Sequence, residues 1–250
     1  MQVYWLEQSA ADVPNTDDWL GANELAVLGT LRFPRRRADW RLGRWTAKRA
    51  VAAVLQLPAN HRALQDIAIS AAINGEPQVE TADRVQAVTL SISHRDGLAA
   101  CAVALGRAAL GCDLELIEPK SAAFIADYLT VDEQALLVRS DSSAQPLLAS
   151  LLWSAKESAL KALHIGLRAD TRSVEVDPGE LNNLQGSSLD WRPLCVRAAA
   201  GPDFRGWWRV TGSGLRTLLA APPPLRPIEL HLSVTPLAHG PRDQAGYSVG

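Results

Sequence analysis

Two heptapeptides, 108 residues apart in a chain of 250, constrain the architecture more than any other feature. Trp45-Thr46-Ala47-Lys48-Arg49-Ala50-Val51 and Trp153-Ser154-Ala155-Lys156-Glu157-Ser158-Ala159 agree at the tryptophan, the alanine and the lysine. Each lies in a segment with helical spacing, and strand-like segments follow each helix. A repeat offset near half the chain length is what a duplicated half-domain predicts, and an active site would then lie between the halves. A chance match is the competing reading. The copies differ where chemistry would differ: Arg49 stands where the second copy has Glu157.

The remaining periodicities describe a mixed α/β (α+β) chain. Val3–Leu6 is a short apolar start, and Trp40–Leu57 has helical spacing with Pro58 as its stop. Gln65–Ile73 alternates as a strand and leads into a turn at Asn74-Gly75-Glu76-Pro77. Val88, Leu90 and Ile92 alternate again. Leu98–Leu105 and Leu110–Ile117, split by Gly106, are expected to be neighbouring strands of one buried antiparallel sheet. Helical patterns follow at Phe124–Leu129 and Asp132–Val138, and a polar stretch, Ser140–Gln145, precedes the longest clear helix, Leu147–His164. Strand-like segments occupy Leu194–Ala199, Trp207–Val210, Leu215–Ala221 and Ile228–Val234, and the last ten residues are expected to fray.

A charged fraction of 21% and a net charge of −2 argue against disorder and against a general nucleic-acid binder, which wants a clear basic excess. Three cysteines without ligand spacing, Cys101, Cys112 and Cys195, suggest free thiols of a reducing compartment. No stretch has the layout of a signal peptide or the length of a membrane span, so the expectation is cytoplasmic, with no membrane and no nucleic-acid partner. The average conceals a segregated pattern. Residues 1–31 hold five acids and no base, whereas residues 32–49, RFPRRRADWRLGRWTAKR, hold eight bases and one acid. This block is either a solvated face or a phosphate-binding patch. Arginine makes up 21 of the 25 bases and favours the second reading, because its planar fork pairs bidentately with phosphate.

Two further segments carry carboxylates. In Gly111-Cys112-Asp113-Leu114-Glu115 the two acids share one strand face, and hard carboxylates side by side suit magnesium. Their apolar neighbours predict a semi-buried sheet, where like charges repel unless a cation joins them. On the helix at Leu147–His164, Glu157 and Lys161 stand opposite the apolar stripe. Alone they read equally well as a solvated i,i+4 pair.

The ordered set Ser91-Ile92-Ser93-His94-Arg95-Asp96-Gly97, the Gly111–Glu115 motif and Trp153-Ser154-Ala155-Lys156-Glu157-Ser158-Ala159-Leu160-Lys161-Ala162 resembles the 4'-phosphopantetheinyl transferases of the monomeric surfactin-synthetase-activator type. With the basic segment upstream, the resemblance covers roughly residues 32 to 166. It implies two similar α/β half-domains in pseudo-twofold arrangement, here residues 1–117 and 118–250, with coenzyme A and magnesium in the cleft between them. It implies transfer of the phosphopantetheine arm of coenzyme A to a serine of an apo acyl or peptidyl carrier protein, with release of adenosine 3',5'-bisphosphate. Position by position, Asp113, Glu115 and Glu157 match magnesium ligands, and Glu157 also matches the proposed base. Lys161 matches the lysine on the reacting phosphates and Lys156 a second coenzyme-binding lysine. Ser93 and His94 match phosphate contacts, and Arg44, Arg36 and Arg37 fall where the family places bases near the 3'-phosphate. The carboxylates are expected to serve a metal rather than a core, so that their removal spares the fold.

Two positions depart from the family pattern. Glu76 stands where a base normally reaches the coenzyme, and Arg95, after His94, is a candidate replacement for that charge. Either Glu157 or a water on the magnesium would take the proton of the carrier serine. A magnesium-dependent phosphohydrolase using the same carboxylates and a non-catalytic anion-binding module built on residues 32–49 are the rival classes.

Overall fold

The computed structural model describes residues 1–72, 75–81, 84–165, 170–179 and 190–232. In chain order its elements are β1 (Tyr4–Ser9), α1 (Ala22–Thr30), α2 (Pro34–Val54), α3 (His61–Gln65), β2 (Ile67–Ala71), β3 (Pro77–Thr81), β4 (Arg84–Val85), β5 (Val88–Arg95), β6 (Leu98–Leu105) and β7 (Ala109–Leu116). They continue with α4 (Ala122–Tyr128), α5 (Val131–Arg139), α6 (Gln145–Ala162), β8 (Val174–Asp177), β9 (Arg192–Ala198), β10 (Phe204–Thr211), β11 (Gly214–Ala221) and β12 (Ile228–Glu229). Residues 233–234 of the expected last strand and the ten terminal residues lie outside the described residues. No helix among those described is long and apolar enough to cross a membrane.

The strands form a sheet β12-β1-β6-β5, a sheet β7-β11-β10-β9-β8 and a small sheet β2-β3-β4. Helix α2 buries Ala47, Ala50 and Val51 against the first sheet, with Leu6, Leu90 and Val103 among their partners. Helix α6 buries Leu148, Leu152, Ala155 and Ala159 against the second, on Leu215 and Leu219. The opposite faces of the two sheets meet through Trp5, Ala100, Ala102, Cys112, Leu114 and Leu218. Alternation explains this layering: on β7, Cys112 and Leu114 enter the inter-sheet core while Asp113 and Glu115 turn toward α6.

Two expectations need correction. β6 and β7 are not neighbours in one sheet. β6 is flanked by β1 and β5, so both its edges are filled, and the turn through Gly106, with φ +85, carries the chain to the second sheet, where β7 pairs with β11. A division at residue 117 also leaves β7 with the half to which it does not pair, and β12 conversely pairs in parallel with β1.

The heptapeptide repeat marks two matching constructions. In the first, the buried Lys48 ammonium donates to the carbonyls of Trp19, at 3.1 Å, and Leu64, at 2.9 Å, and pairs with Glu24. Glu24 accepts from the backbone N–H of Gly21 at the start of α1 and of Ile69 on β2. In the second, the buried Lys156 donates to the carbonyls of Thr171, at 3.0 Å, and Val174, at 2.5 Å, and pairs with Glu133 at 2.9 Å. Glu133 accepts from the backbone N–H of Thr130 at the start of α5 and of Val176 on β8. The same lysine, capping glutamate and strand amide thus recur in each half.

A second tie runs between the halves. Glu7 on β1 accepts from Arg216 on β11, at 2.7 Å, and from Arg209 on β10, at 3.1 Å. Burial pushes the Glu7 carboxyl up, but Arg216 and Arg209 outweigh it and hold the group below its ordinary value. A depressed carboxyl contributes stability above its unfolded pKa that is lost as pH falls through the folded value. Glu7→Gln should therefore cost about 2 kcal/mol at neutral pH. Urea unfolding should show this gap narrowing as the pH falls through the depressed Glu7 value.

Candidate functional site

Where β5 passes β7, serine side chains replace the backbone ladder: Ser91 Oγ accepts from the Cys112 N–H at 3.0 Å and Ser93 Oγ from the Leu114 N–H at 3.2 Å. This junction joins the edge of one sheet to the edge of the other. Helix α6 lies over it, and the close approach depends on Gly111, the first residue of the carboxylate motif. A Cβ there would collide with the Ser158 carbonyl oxygen and lie 2.8 Å from the Ala162 nitrogen. Gly111→Ala should cost about 3 kcal/mol, read as a lowered melting temperature, because backbone cannot yield as a side-chain tip can.

At the centre of the junction is Asp113, 5% exposed. Its Oδ1 accepts from Ser93, at 2.9 Å, and from Lys161, at 2.8 Å, and its Oδ2 accepts from Ser154 at 2.8 Å. Lys161 also donates to Ser93 Oγ and to the Cys112 carbonyl, each at 3.0 Å. Burial would tend to discharge Lys161, but Asp113 holds its ammonium above the ordinary value. The half-buried Glu115 accepts from Trp153 Nε1 at 3.3 Å, with Arg95 and Lys120 each 3.8 Å from its carboxylate. Burial and then Asp113 push its carboxyl up. Glu157 is pushed up to about 6 by burial and by Asp113, and Lys161 offsets part of this. One oxygen each of Glu115 (Oε2) and Glu157 (Oε1) is buried without a hydrogen-bond partner.

Two carboxylate oxygens without hydrogen bonds, on groups raised by burial and then by their like-charged neighbours, are donors of the kind a hard divalent cation takes. Among the described residues, however, no three His, Cys, Asp or Glu side chains are grouped as metal ligands. Asp113 is instead engaged by Lys161, Ser93 and Ser154.

The adjacent groove, about 500 Å³, is lined by Phe33, Arg35, Arg36, Asp39, Trp40 and His94. Gly43 lets α2 close on β5, where an added Cβ would lie 3.3 Å from Ile92 and 3.9 Å from His94. Ser93 and His94, successive on β5, therefore serve opposite sides: Ser93 the carboxylates and His94 the groove. Arg35, Arg36 and Arg37 occupy the first turn of α2, where the helix dipole disfavours positive charge, so helix stability does not account for them.

The structure brings Ser93, Asp113, Glu115, Glu157 and Lys161 to one junction and Arg36 and His94 to the groove beside it. Other candidates are committed elsewhere. Lys156 is 0% exposed and bound to Glu133 and two carbonyls, so its reading as a coenzyme-binding lysine is corrected: it is a buried cation of the second half. Arg44 donates to the Ile69 carbonyl at 2.7 Å and faces Glu24 at 3.6 Å, and Arg37 donates to the Leu28 carbonyl at 2.5 Å. Arg95 lies between Glu115 and Glu118. Sequence reasoning gave no role to Ser154 or Lys120, although each touches the carboxylates; Ser154 lies within the third motif, but nothing local marks Lys120.

These features define a mixed α/β protein of two like halves with a carboxylate–lysine centre at one junction and a basic groove beside it. The family model of the 4'-phosphopantetheinyl transferase superfamily matches residues 109–200, which include β7 and α6. No curated protein matches the chain. Similar solved structures include a holo-(acyl-carrier-protein) synthase from Bacillus anthracis str. Ames in complex with CoA (3',5'-ADP), at 23% identity and TM-score 0.36, covering 42% of this chain and 94% of that one. The Helicobacter pylori holo-[acyl-carrier-protein] synthase in complex with coenzyme A is 18% identical, with TM-score 0.34, and covers 42% of this chain and 100% of that one. The Thermotoga maritima holo-[acyl-carrier-protein] synthase is 20% identical, with TM-score 0.34, and covers 52% and 74% respectively.

Proposed function

We propose that this protein is a cytoplasmic, monomeric transferase that moves the phosphopantetheine group of coenzyme A to a serine hydroxyl of an apo acyl or peptidyl carrier protein, releasing adenosine 3',5'-bisphosphate. The observation that carries this reading is the junction itself: Lys161 and three carboxylates lie next to a groove lined by arginine, histidine and aromatic side chains. A coenzyme has the matching polarity, with a base and phosphates for the groove and a pyrophosphate for the lysine.

Displacement at the β-phosphorus spreads negative charge over its oxygens and onto the leaving bisphosphate. Lys161, kept protonated by Asp113, supplies fixed positive charge there without reorganising during reaction. Ser93 and Ser154 hold Asp113, and Asp113 holds Lys161. Arg36 and His94 orient the coenzyme from the groove. The carrier serine is a poor nucleophile near neutral pH, and Glu157, at about 6, is matched to accept its proton. Glu157 and Glu115, each with an oxygen that has no hydrogen-bond partner, are the residues that would hold magnesium, and Asp113 would join them only by giving up one of its present partners; when bound, the ion would neutralise phosphate charge.

Adenosine 3',5'-bisphosphate released from coenzyme A should be followed by chromatography with and without an apo carrier protein. Release that requires the carrier supports transfer. Release at the same rate without it identifies a phosphohydrolase, and no release with several carriers favours a binding module.

A further inference from the structure

Lys156 immediately precedes Glu157, yet its side chain runs away from the junction into the second half. Its ammonium has three acceptors on three segments: Glu133 on α5, the Thr171 carbonyl and the Val174 carbonyl at the start of β8. Glu133 is itself fixed by the N–H groups of Thr130 and Val176. The other side of α6 is fixed to β7 through Ser154 and Lys161, which both reach Asp113. The helix is therefore held from two directions, and the Lys156 anchor sets its rotation about its own axis.

That rotation matters because Glu157 and Lys161 are carried by the same helix. With side chains a helix is about 10–12 Å across, so a turn of about 20° moves a tip by about 2 Å. A misplacement of about 1 Å already costs about 100-fold in rate. Lys48 anchors α2 in the same way through Glu24, and α2 carries the groove residues Arg36 and Trp40.

We infer that Lys156, with Glu133, is a positioning residue that sets turnover through Glu157 and Lys161 without touching the coenzyme, whereas its counterpart Lys48 sets coenzyme affinity through α2. This inference rests on the proposed transfer reaction.

The test compares Lys156→Met and Lys48→Met in the full chain, assayed below the melting temperature of each. Lys156→Met should lower kcat about 100-fold with the KM for coenzyme A held within about threefold. Lys48→Met should raise that KM about tenfold with kcat held within about threefold. Glu133→Gln provides the same reading if Lys156→Met does not fold, because it keeps a hydrogen-bonding group beside the lysine. It should lower kcat about tenfold at unchanged KM, and hydrogen exchange at Ser154–Ala162 should speed up.

A raised coenzyme KM at full kcat in Lys156→Met would restore its reading as a coenzyme ligand and overturn the inference. Unchanged kcat in folded Lys156→Met or in Glu133→Gln would also overturn it, as would identical kinetic changes in the two methionine variants. A wild-type protein inactive on every carrier would instead count against the transfer reading, and the exchange measurement on α6 would still report the anchor.

Discussion

Glu157→Gln should reduce transfer by about three orders of magnitude and, in the absence of a divalent cation, make the protein more stable. Both effects come from one feature. Burial and the neighbouring Asp113 raise the Glu157 carboxyl from its ordinary 4.5 to about 6, so the folded state binds the proton more tightly than the unfolded state. The side chain therefore costs nothing well below pH 4.5, where both states are protonated; the cost builds between 4.5 and about 6 and is fully present above that. Glutamine removes that charge while keeping the shape. With solvent screening of this half-buried group, the gain above neutrality should be about 1 kcal/mol. A cation that binds the carboxylates should erase the advantage by stabilising the wild type. Thermal unfolding of both proteins, with and without magnesium, reads each part. Lower stability of the variant without metal, or retention of turnover, would contradict this account of Glu157.

Asp113→Ala should be equally inactive but for a different balance of reasons, and it should not spare the fold. Asp113 is the acceptor for Lys161, Ser93 and Ser154. Truncation would leave a mostly buried ammonium without its carboxylate and two hydroxyls without their acceptor. Losing one partner of a buried pair costs about 3–5 kcal/mol, and the exposure of Lys161 places the expected loss near the lower end. Turnover should fall about 1,000-fold because the charge that orients Lys161 is gone. Denaturant unfolding beside initial rates separates the two effects. Asp113→Asn, whose single amide oxygen can still accept from Lys161 while its NH2 group faces Ser154 Oγ as a donor, should recover part of the stability and little of the rate. An Asp113→Ala protein with wild-type stability would show that Lys161 does not depend on the pair. The sequence-based expectation that these carboxylates can be removed without harm to the fold should on this geometry hold for Glu157 and fail for Asp113.

Residues whose role is fixed by local pattern were legible in the sequence. The expected helix at Leu147–His164 lies at Gln145–Ala162, and the alternation that puts Asp113 and Glu115 on one face is seen on β7. The helix expected over Trp40–Leu57 begins earlier, at Pro34, because proline suits a first helical turn and the arginines after it do not break the helix. The repeat around Trp45 and Trp153 was also legible, though its physical meaning was not. Its shared lysines look alike from their neighbours, and only the fold shows that Glu24 and Glu133, each more than twenty residues earlier, draw them inside. A charge count over residues 32–49 fails for the same reason. It cannot separate Arg36, which faces the groove, from Arg41, which Asp17 and the carbonyls of Pro14 and Thr16 engage, or from Arg44, which lies against Glu24 and Ile69. Sheet membership was hidden as well. Two apolar runs split by one glycine look the same whether they pair with each other or, like β6 and β7, pack face to face from different sheets.

In the proposed reaction the junction moves phosphopantetheine rather than merely binding or hydrolysing a nucleotide. The most direct test is the intact mass of an apo carrier protein after incubation with this protein, coenzyme A and magnesium. A gain of about 340 Da on the carrier serine, lost when that serine is replaced by alanine and formed about 1,000-fold more slowly with Glu157→Gln, is the predicted result. An unchanged carrier mass across fatty-acid, polyketide and peptide-synthetase carriers, while coenzyme A is consumed, would contradict it.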